Sequence, residues 1–240
     1  MVTNLDKFQV IFPGTERSSN NVIKIGDLIF PSTEEVKLLG ITFDRQLTFY
    51  PHIQNMCKAA SNKIKALLRI RSFLTQNQTD LILNAYVFSA FNYCPLVWMF
   101  CSKKAHNLID KTFYRALCAK YYTFSHNFSD LLKKANMPSI HVRNLRLLVI
   151  EIFKSINRLN PELMWDTFPL KTSKYYLRQG SSLMISPNGK SARGINSFNF
   201  RAALAWNHLP ASIKNVNNLS KFKALLKDVN IYCQCKLCTA

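Results

Sequence analysis

Three cysteines near the end of the chain have a spacing suited to metal binding. Cys233, Cys235 and Cys238 form a C-x-C-x-x-C pattern, and thiolates this close together can bind one zinc ion. Tetrahedral zinc needs a fourth ligand, but no His or Cys follows Cys238. Zinc binding would therefore need a second chain or the nearest upstream histidine, His208, which lies across a predicted helix. The sequence favours a frayed, thiol-bearing tail over a zinc site.

Carboxylates are not arranged for catalysis in this sequence. Nucleotidyl transfer uses metal ions held by clustered carboxylates, whereas the only adjacent acids here are Glu34 and Glu35, in a polar stretch that predicts a solvated turn. The sequence contains no nucleophile elbow, HExxH motif or glycine-rich phosphate loop. We therefore expect no catalytic residues, no resident cofactor, no small-molecule substrate and no enzymatic activity of the chain alone.

A basic run in the first predicted helix is typical of contact with nucleic acid. The run contains no acidic residue and comprises Lys58, Lys63, Lys65, Arg69 and Arg71. A helix of fourteen residues is about 21 Å long, which is enough to follow several phosphates of a duplex. The alternative is a solvated helix face, which is the usual fate of charged runs. Because acidic partners at i±4 are missing, the pattern favours phosphate contact.

Basic residues alternate with aromatic ones between Lys171 and Arg201. The candidate nucleic-acid contacts in this stretch are Lys174, Arg178, Arg193 and Arg201. The aromatic residues among them are Tyr175, Tyr176, Phe198 and Phe200. This combination suits single-stranded RNA or DNA, since exposed bases stack on aromatic rings. Alternatively, Phe198, Phe200 and Trp206 belong to a small core.

Charge is distributed unevenly along the 240 residues, whose formal net charge is +19. Residues 1–50 carry five Lys/Arg and six Asp/Glu, whereas residues 51–240 carry twenty-seven and seven. Self-repulsion of this size is relieved when a polyanion binds, which predicts RNA or DNA as a partner. A basic but inert surface is the alternative.

Hydrophobic patterning predicts an α+β fold that is predominantly α. Phe8–Phe12, a hairpin around Gly26-Asp27 and a strand over Val36–Phe43 form the predicted N-terminal β layer. After Pro51 apolar residues recur at helical spacing. The predicted helices follow Pro51, cover Asp80–Met99 with a break near Pro95, centre on Leu108–Leu117, cover Ile140–Leu159 after an N-cap at Ser139, and end with Phe200–Asn207 and Lys221–Val229.

The sequence predicts an intracellular protein, nuclear or cytoplasmic, with no membrane association. Its seven cysteines fit a reducing compartment, and the N-terminus lacks the features of a secretory signal. The most apolar run, Tyr86–Phe100, is shorter than the roughly twenty apolar residues that cross a membrane.

Several segments together resemble reverse transcriptases of LINE-type (non-LTR, jockey-like) retrotransposons. In chain order they read NLDKFQVIFPG, EEVKLLGITFDRQLTF, HIQNMCKAASNKIKALLRI, SAFNYCPLVWMFCSKK, HVRNLRLLVIEIFKSINRLNPELM and NSFNFRAALAWNHLPASIK. Lys7 occupies a Lys position of the family, while Leu5 replaces a family proline. The resemblance implies that Leu38, Leu39 and Gly40 correspond to the primer grip and that the basic helix belongs to the thumb.

The resemblance also implies a domain organisation and a function. Residues 1–47 would be a palm remnant, 48–125 a thumb-like helical region, 126–229 a basic C-terminal helical region and 230–240 a cysteine-containing tail. In the family the catalytic Asp-Asp pair lies upstream of the primer grip, and no such pair precedes it here. We therefore expect a truncated, inactive part of an RNA-directed DNA polymerase that binds RNA, DNA or an RNA–DNA hybrid. The alternative is a stand-alone basic nucleic-acid-binding or scaffold module that the host has reused.

Overall fold

The chain divides into two compact units in a computed structural model that describes residues 8–14, 22–124, 126–170, 192–195, 197–235 and 237–238. The first unit comprises Met1–Cys94 and Cys101–Leu131, and the second comprises Pro95–Phe100 and Leu132–Ala240. Both units are mainly helical, and the first also contains two small β hairpins. The predicted α+β, predominantly α fold class is confirmed. The four-segment division inferred from the sequence stays a prediction.

Eleven α-helices are formed by the described residues. In chain order they are α1 (Tyr50–Ile70), α2 (Gln76–Ile82), α3 (Ser89–Asn92), α4 (Pro95–Trp98), α5 (Lys103–Tyr121), α6 (Phe128–Lys134), α7 (Ile140–Ile156), α8 (Ala192–Ile195), α9 (Phe198–Asn207), α10 (Ala211–Lys214) and α11 (Leu219–Leu225). Arg71–Phe73 and Glu162–Thr167 are 3-10 helices, and Leu83–Phe88 is π-helical. As predicted, Ser139 is the N-cap of α7, where its Oγ accepts a hydrogen bond from the backbone N–H of Val142.

Both β hairpins lie in the first unit. Strands β1 (Val22–Ile25) and β2 (Leu28–Pro31) pair antiparallel, which confirms the hairpin predicted around Gly26-Asp27. Strands β3 (Glu35–Leu38) and β4 (Ile41–Asp44) form the second hairpin, so the prediction of one strand from Val36 to Phe43 is wrong.

The second hairpin turns at Leu39-Gly40, where both residues have positive φ angles of 47° and 84°. Two consecutive positive φ values suit the right-handed twist of a two-residue hairpin turn. The β-prone run Phe8–Phe12 contributes one isolated bridge to the β layer, between Val10 and Ser32, and is not a full strand.

Strand β4 connects the β layer to α1. Ile41 is buried, and the side chain of Asp44 accepts hydrogen bonds from the backbone N–H groups of Thr48 and Phe49 at 3.0 and 2.6 Å. The Thr48 hydroxyl donates a further bond to Asp44. These bonds satisfy backbone donors just before α1, where a carboxylate is electrostatically favourable. By contrast, the apolar side chains of Val22, Ile23, Ile25, Leu28 and Ile29 are exposed in the first hairpin.

The core of the first unit lies between α1, α5 and the helical stretch 76–92. Leu83, Val87, Phe91 and Phe113 are buried there, and the rings of Phe91 and Phe113 meet edge to face at 6.1 Å. The predicted break near Pro95 is confirmed, because Cys94 has a left-handed φ of 43° and separates α3 from α4, which begins at Pro95. The Cys94 side chain is exposed.

Helix α7 is the centre of the second unit. Its buried face includes Leu145, Leu148, Ile152 and Phe153, which pack in one cluster with residues of α9 and α11. Phe153 stacks on Phe222 at a centroid distance of 4.1 Å. Cys233 and Cys235 follow α11 and belong to the same cluster, so the expected frayed tail is wrong for these two residues. Across the described residues, no helix is long and apolar enough to cross a membrane.

Candidate nucleic-acid interface and thiol–histidine cluster

Helix α1 carries three of its four basic residues on the side opposite its packed face. The buried residues of that face recur every three or four positions and are Ile53, Cys57, Ala60, Ile64 and Leu67. Lys58, Lys65 and Arg69 are exposed, and a rotation of roughly 100° per residue places them within about 40° of one another around the helix axis. We call these three residues the α1 basic stripe, which is about 16 Å long. Lys63 is also exposed, about 140° around the axis from Lys58.

Carboxylates are scarce around the α1 basic stripe. Residues 50–121 contain ten Lys/Arg but only two acids, Asp80 and Asp110. Asp80 Oδ2 lies 3.1 Å from Lys120 Nζ, and Asp110 Oδ2 lies 3.1 Å from His106 Nδ1. In the part of the chain that the structure describes, no ion pair joins the stripe to a carboxylate. The described carboxylates therefore leave the positive charge of the stripe without an ion-pair partner.

Arg71 comes from the same predicted run but has a different environment. Its Nε and Nη2 donate to the backbone carbonyls of Ala119 and Lys120, both at 3.1 Å. Nη1 donates to the carbonyl of Leu74 at 3.1 Å, and Nη2 also donates to Gln76 Oε1. The guanidinium thus joins the residues after α1 to the C-terminal end of α5, where carbonyls have no intrahelical donors.

The second predicted group of nucleic-acid contacts does not form a shared surface within the described residues. Lys174 and Arg178 lie outside the described residues, as does the side chain of Arg193. Arg201 is only 8% exposed, and its guanidinium carbon lies 5.5 Å from the ring centroid of Phe100. Arg201 therefore packs inside the second unit.

Two aromatic residues of that region belong to the core, as the alternative interpretation predicted. The ring of Phe198 lies 5.9 Å from Phe100, and Trp206 is 2% exposed. Tyr175 and Tyr176 lie outside the described residues.

The residues that resemble a primer grip lie at the tip of the second hairpin. Leu38 and Leu39 are 57% and 82% exposed, while Gly40 lies in the turn itself. The Tyr93 hydroxyl donates to the backbone carbonyl of Leu39, and a Cβ at Gly40 would lie 3.5 Å from the Tyr93 ring. The tip is thus anchored on one side and exposes apolar side chains on the other.

One histidine and three cysteines form a compact cluster in the second unit. His141 Nε2 lies 3.3 Å from both Cys235 Sγ and Cys238 Sγ. Cys238 Sγ lies 3.7 Å from both Cys233 Sγ and Cys235 Sγ. All four candidate ligand atoms lie within 4.8 Å of one another, and this is the only such group that the described residues form. His141, Cys233 and Cys235 are buried.

These four side chains shift one another's pKa. Burial lowers the pKa of His141, but hydrogen bonds with Cys235 and Cys238 outweigh burial and raise it to about 9. Hydrogen bonds with Cys235 and Cys238 raise the pKa of Cys233. Hydrogen bonds with Cys233 and Cys238 lower the pKa of Cys235. The metal-free cluster therefore favours an imidazolium next to one thiolate.

His141 is the residue that sequence reasoning missed. The sequence pointed to His208, which is exposed and has its ring 5.5 Å from that of Tyr232. His141 precedes Leu145 and Leu148 at helical spacing on the buried face of α7. The sequence did contain one sign of this ligand: a histidine at a helix position where the pattern requires an apolar residue.

Comparisons of this chain with protein-family models, curated proteins and solved structures find no match. The resemblance to LINE-type reverse transcriptases stays a prediction from the motifs.

Proposed function

We propose that this chain binds nucleic acid through the phosphate backbone and that the α1 basic stripe is the contact surface. The observation that carries the proposal is a row of three exposed cations without acidic partners among the described residues, on a helix whose other face is buried. The backbone positions of Lys58, Lys65 and Arg69 are fixed because α1 packs along α5. A helix that is already formed needs no backbone ordering when it binds a regular polyanion.

The dimensions of the stripe match those of a duplex backbone. Lys58 and Lys65 are about 10 Å apart along the helix axis, and Arg69 lies about 6 Å further on. Successive phosphates of one strand advance about 3.4 Å along a duplex, so the stripe covers roughly five steps. Long Lys and Arg side chains can reach phosphates on either side of this line. None of the three residues belongs to a recognisable base-reading module, which favours binding that is independent of base sequence.

The same proposal accommodates the resemblance to retrotransposon reverse transcriptases. Asp44 joins the hairpin that carries Leu38, Leu39 and Gly40 to the start of α1. In the proposed role these elements are the primer grip and thumb of an inactive C-terminal polymerase segment, and its ligand is an RNA–DNA hybrid or a related duplex. All seven cysteines are free thiols, which agrees with the proposed nuclear or cytoplasmic location.

Salt-dependent binding tests the proposal. The test variant replaces Lys58, Lys65 and Arg69 with Gln, and the control replaces Lys221, Lys223 and Lys227 with Gln. Both variants remove three exposed charges, but the control charges lie in or just after α11. Affinity for a labelled RNA–DNA hybrid is measured by fluorescence anisotropy over a range of salt concentrations, and circular dichroism checks folding.

We expect the parent protein to give a log–log salt slope of about −5 to −7. The stripe variant should flatten this slope by about 2.7, because each lost phosphate contact contributes about 0.9. The control should change the slope by less than about one. Equal slopes for the folded stripe variant and the parent would refute the proposal.

A further inference from the structure

We propose that His141, Cys233, Cys235 and Cys238 bind one zinc ion that fastens the C-terminal segment to α7. This site lies in the second unit, and it does not depend on the proposed function of α1. The four ligands come from two distant parts of the chain, since His141 is separated from Cys235 by 94 residues. The ion would therefore be a structural link between the start of α7 and the segment after α11.

The ligand atoms already have spacings close to those of a tetrahedral zinc site. With Zn–S bonds of about 2.3 Å and Zn–N bonds of about 2.0–2.1 Å, ideal tetrahedral edges are about 3.8 Å between sulfurs and about 3.6 Å from nitrogen to sulfur. The two short Sγ–Sγ distances are 3.7 Å, and the two Nε2–Sγ distances are 3.3 Å. The remaining pairs are within 4.8 Å, so small adjustments complete the tetrahedron.

The backbone after Ile231 wraps the three thiols around a common point. Gln234 has a left-handed φ of 52°, which reverses the chain between Cys233 and Cys235. The Cys238 N–H then donates to the Cys235 carbonyl at 2.9 Å and closes a tight turn. His141 lies in the first turn of α7, which Ser139 caps. Each ligand is thus positioned by local backbone structure.

The four ligand side chains favour zinc over Mg²⁺ or Ca²⁺ and a structural over a catalytic role. Three thiolates and one imidazole are soft to intermediate ligands that suit Zn²⁺ better than Mg²⁺ or Ca²⁺. Four protein ligands leave no open position for water or substrate, which is typical of structural rather than catalytic zinc. Burial of Cys233 and Cys235 protects the bound ion from solvent.

The segment after α11 lacks the regular secondary structure that would anchor it. Residues 231–235 form neither helix nor strand, although Ile231, Cys233 and Cys235 are buried. Backbone ladders therefore do not hold this segment in place. Zinc ligation would supply the anchor, as it does in small domains that fold around a metal.

The test begins with the parent chain, purified in the presence of zinc and reductant and then dialysed against metal-free buffer. We expect one zinc per chain by elemental analysis. X-ray absorption at the zinc edge should show three sulfur neighbours at about 2.3 Å and one nitrogen at about 2.0–2.1 Å. This measurement does not rely on any variant being folded. Loss of zinc on dialysis, half an ion per chain, or an oxygen-dominated shell would overturn the proposal.

Variants then assign the ligands in the full chain. Cys235→Ser and His141→Gln should each lower bound zinc at least tenfold after dialysis against a weak chelator. Cys94→Ser removes an exposed thiol in the first unit, and His208→Ala removes the histidine nearest in sequence. Both controls should keep one zinc per chain. The assignment would be refuted if His208→Ala lost zinc while His141→Gln retained it. A Cys233–Cys238 disulfide that persists in the parent after treatment with reductant and zinc would also refute it.

Discussion

Arg71 offers a sharp test, because the sequence and the structure assign it different roles. The sequence places it among the phosphate contacts, whereas its guanidinium donates to the carbonyls of Leu74, Ala119 and Lys120. Replacing Arg71 with Met removes these three partly buried, charge-assisted bonds. At about 0.5–1.5 kcal/mol net for each bond, the free energy of unfolding should fall by about 1.5–4.5 kcal/mol. Arg69→Met is the matched control, since it removes an exposed arginine two residues earlier.

The two variants should have opposite effects in two assays. Urea denaturation followed by circular dichroism should show a large loss of stability for Arg71→Met and a change within about 0.5 kcal/mol for Arg69→Met. The log–log salt slope for duplex binding should flatten by about one for Arg69→Met and stay unchanged for folded Arg71→Met. If Arg71→Met is as stable as its control but loses salt dependence, Arg71 is a phosphate ligand and its structural role is wrong.

Three further results are expected. The pure chain should not extend a primer on an RNA template with Mg²⁺ or Mn²⁺, and incorporation that a point mutation in this chain abolishes would contradict this. Asp44→Ala should lower the free energy of unfolding by about 1–3 kcal/mol in urea denaturation, because it removes hydrogen bonds to a carboxylate before α1. Asp44→Asn should lose less, because its amide oxygen can still accept one of these bonds, and an Asp44→Ala variant as stable as the parent would contradict this role of Asp44. Burial lowers the pKa of Lys214 from 10.5 to about 8, so the folded state binds fewer protons and this residue's contribution to stability rises from pH 8 to pH 10.5. Relative to Lys214→Met, which has no titrating group at this position, the parent should therefore gain stability from pH 8 to pH 10.5 in urea denaturation; a difference constant across this range would refute the shift.

Helical periodicity was the most informative feature of the sequence. The spacing of apolar residues after Pro51 predicts one buried helix face, and Ile53, Cys57 and Ile64 have this spacing and are buried. The N-cap at Ser139 was also predictable, because the hydrogen bond from Val142 involves only neighbouring residues. Features that depend on local spacing alone could be deduced without a structure.

The β layer was harder to predict because turns and strands share residue types. Leu39 lies in an apolar run that suits a strand, yet its positive φ helps reverse the chain next to Gly40. Non-glycine residues with positive φ are uncommon, so the residue type of Leu39 did not indicate a turn there. Cys94 also has a positive φ, but there the following Pro95 did indicate a break in the apolar helical pattern.

Contacts between residues distant in sequence could not be predicted from local sequence patterns. The cysteine spacing indicated a possible zinc site, but local sequence offered only a second chain or His208, the nearest histidine, as the source of the fourth ligand. His141 lies 97 residues before Cys238 and meets it only through the packing of α7. Likewise, Arg71 contacts a carbonyl 48 residues away, which a run of basic residues cannot indicate.

Lysine protection provides the most direct measurement of phosphate contact on α1. The parent chain is briefly acetylated alone and with saturating RNA–DNA hybrid, and mass spectrometry measures the rate of modification at each lysine. Lys58 and Lys65 are exposed in the structure, as are Lys221 and Lys223 of α11. We expect the hybrid to slow acetylation of Lys58 and Lys65 several-fold and to leave Lys221 and Lys223 nearly unchanged. Unchanged rates at Lys58 and Lys65 with protection at Lys221 and Lys223 would show that nucleic acid binds elsewhere and would contradict the proposed interface.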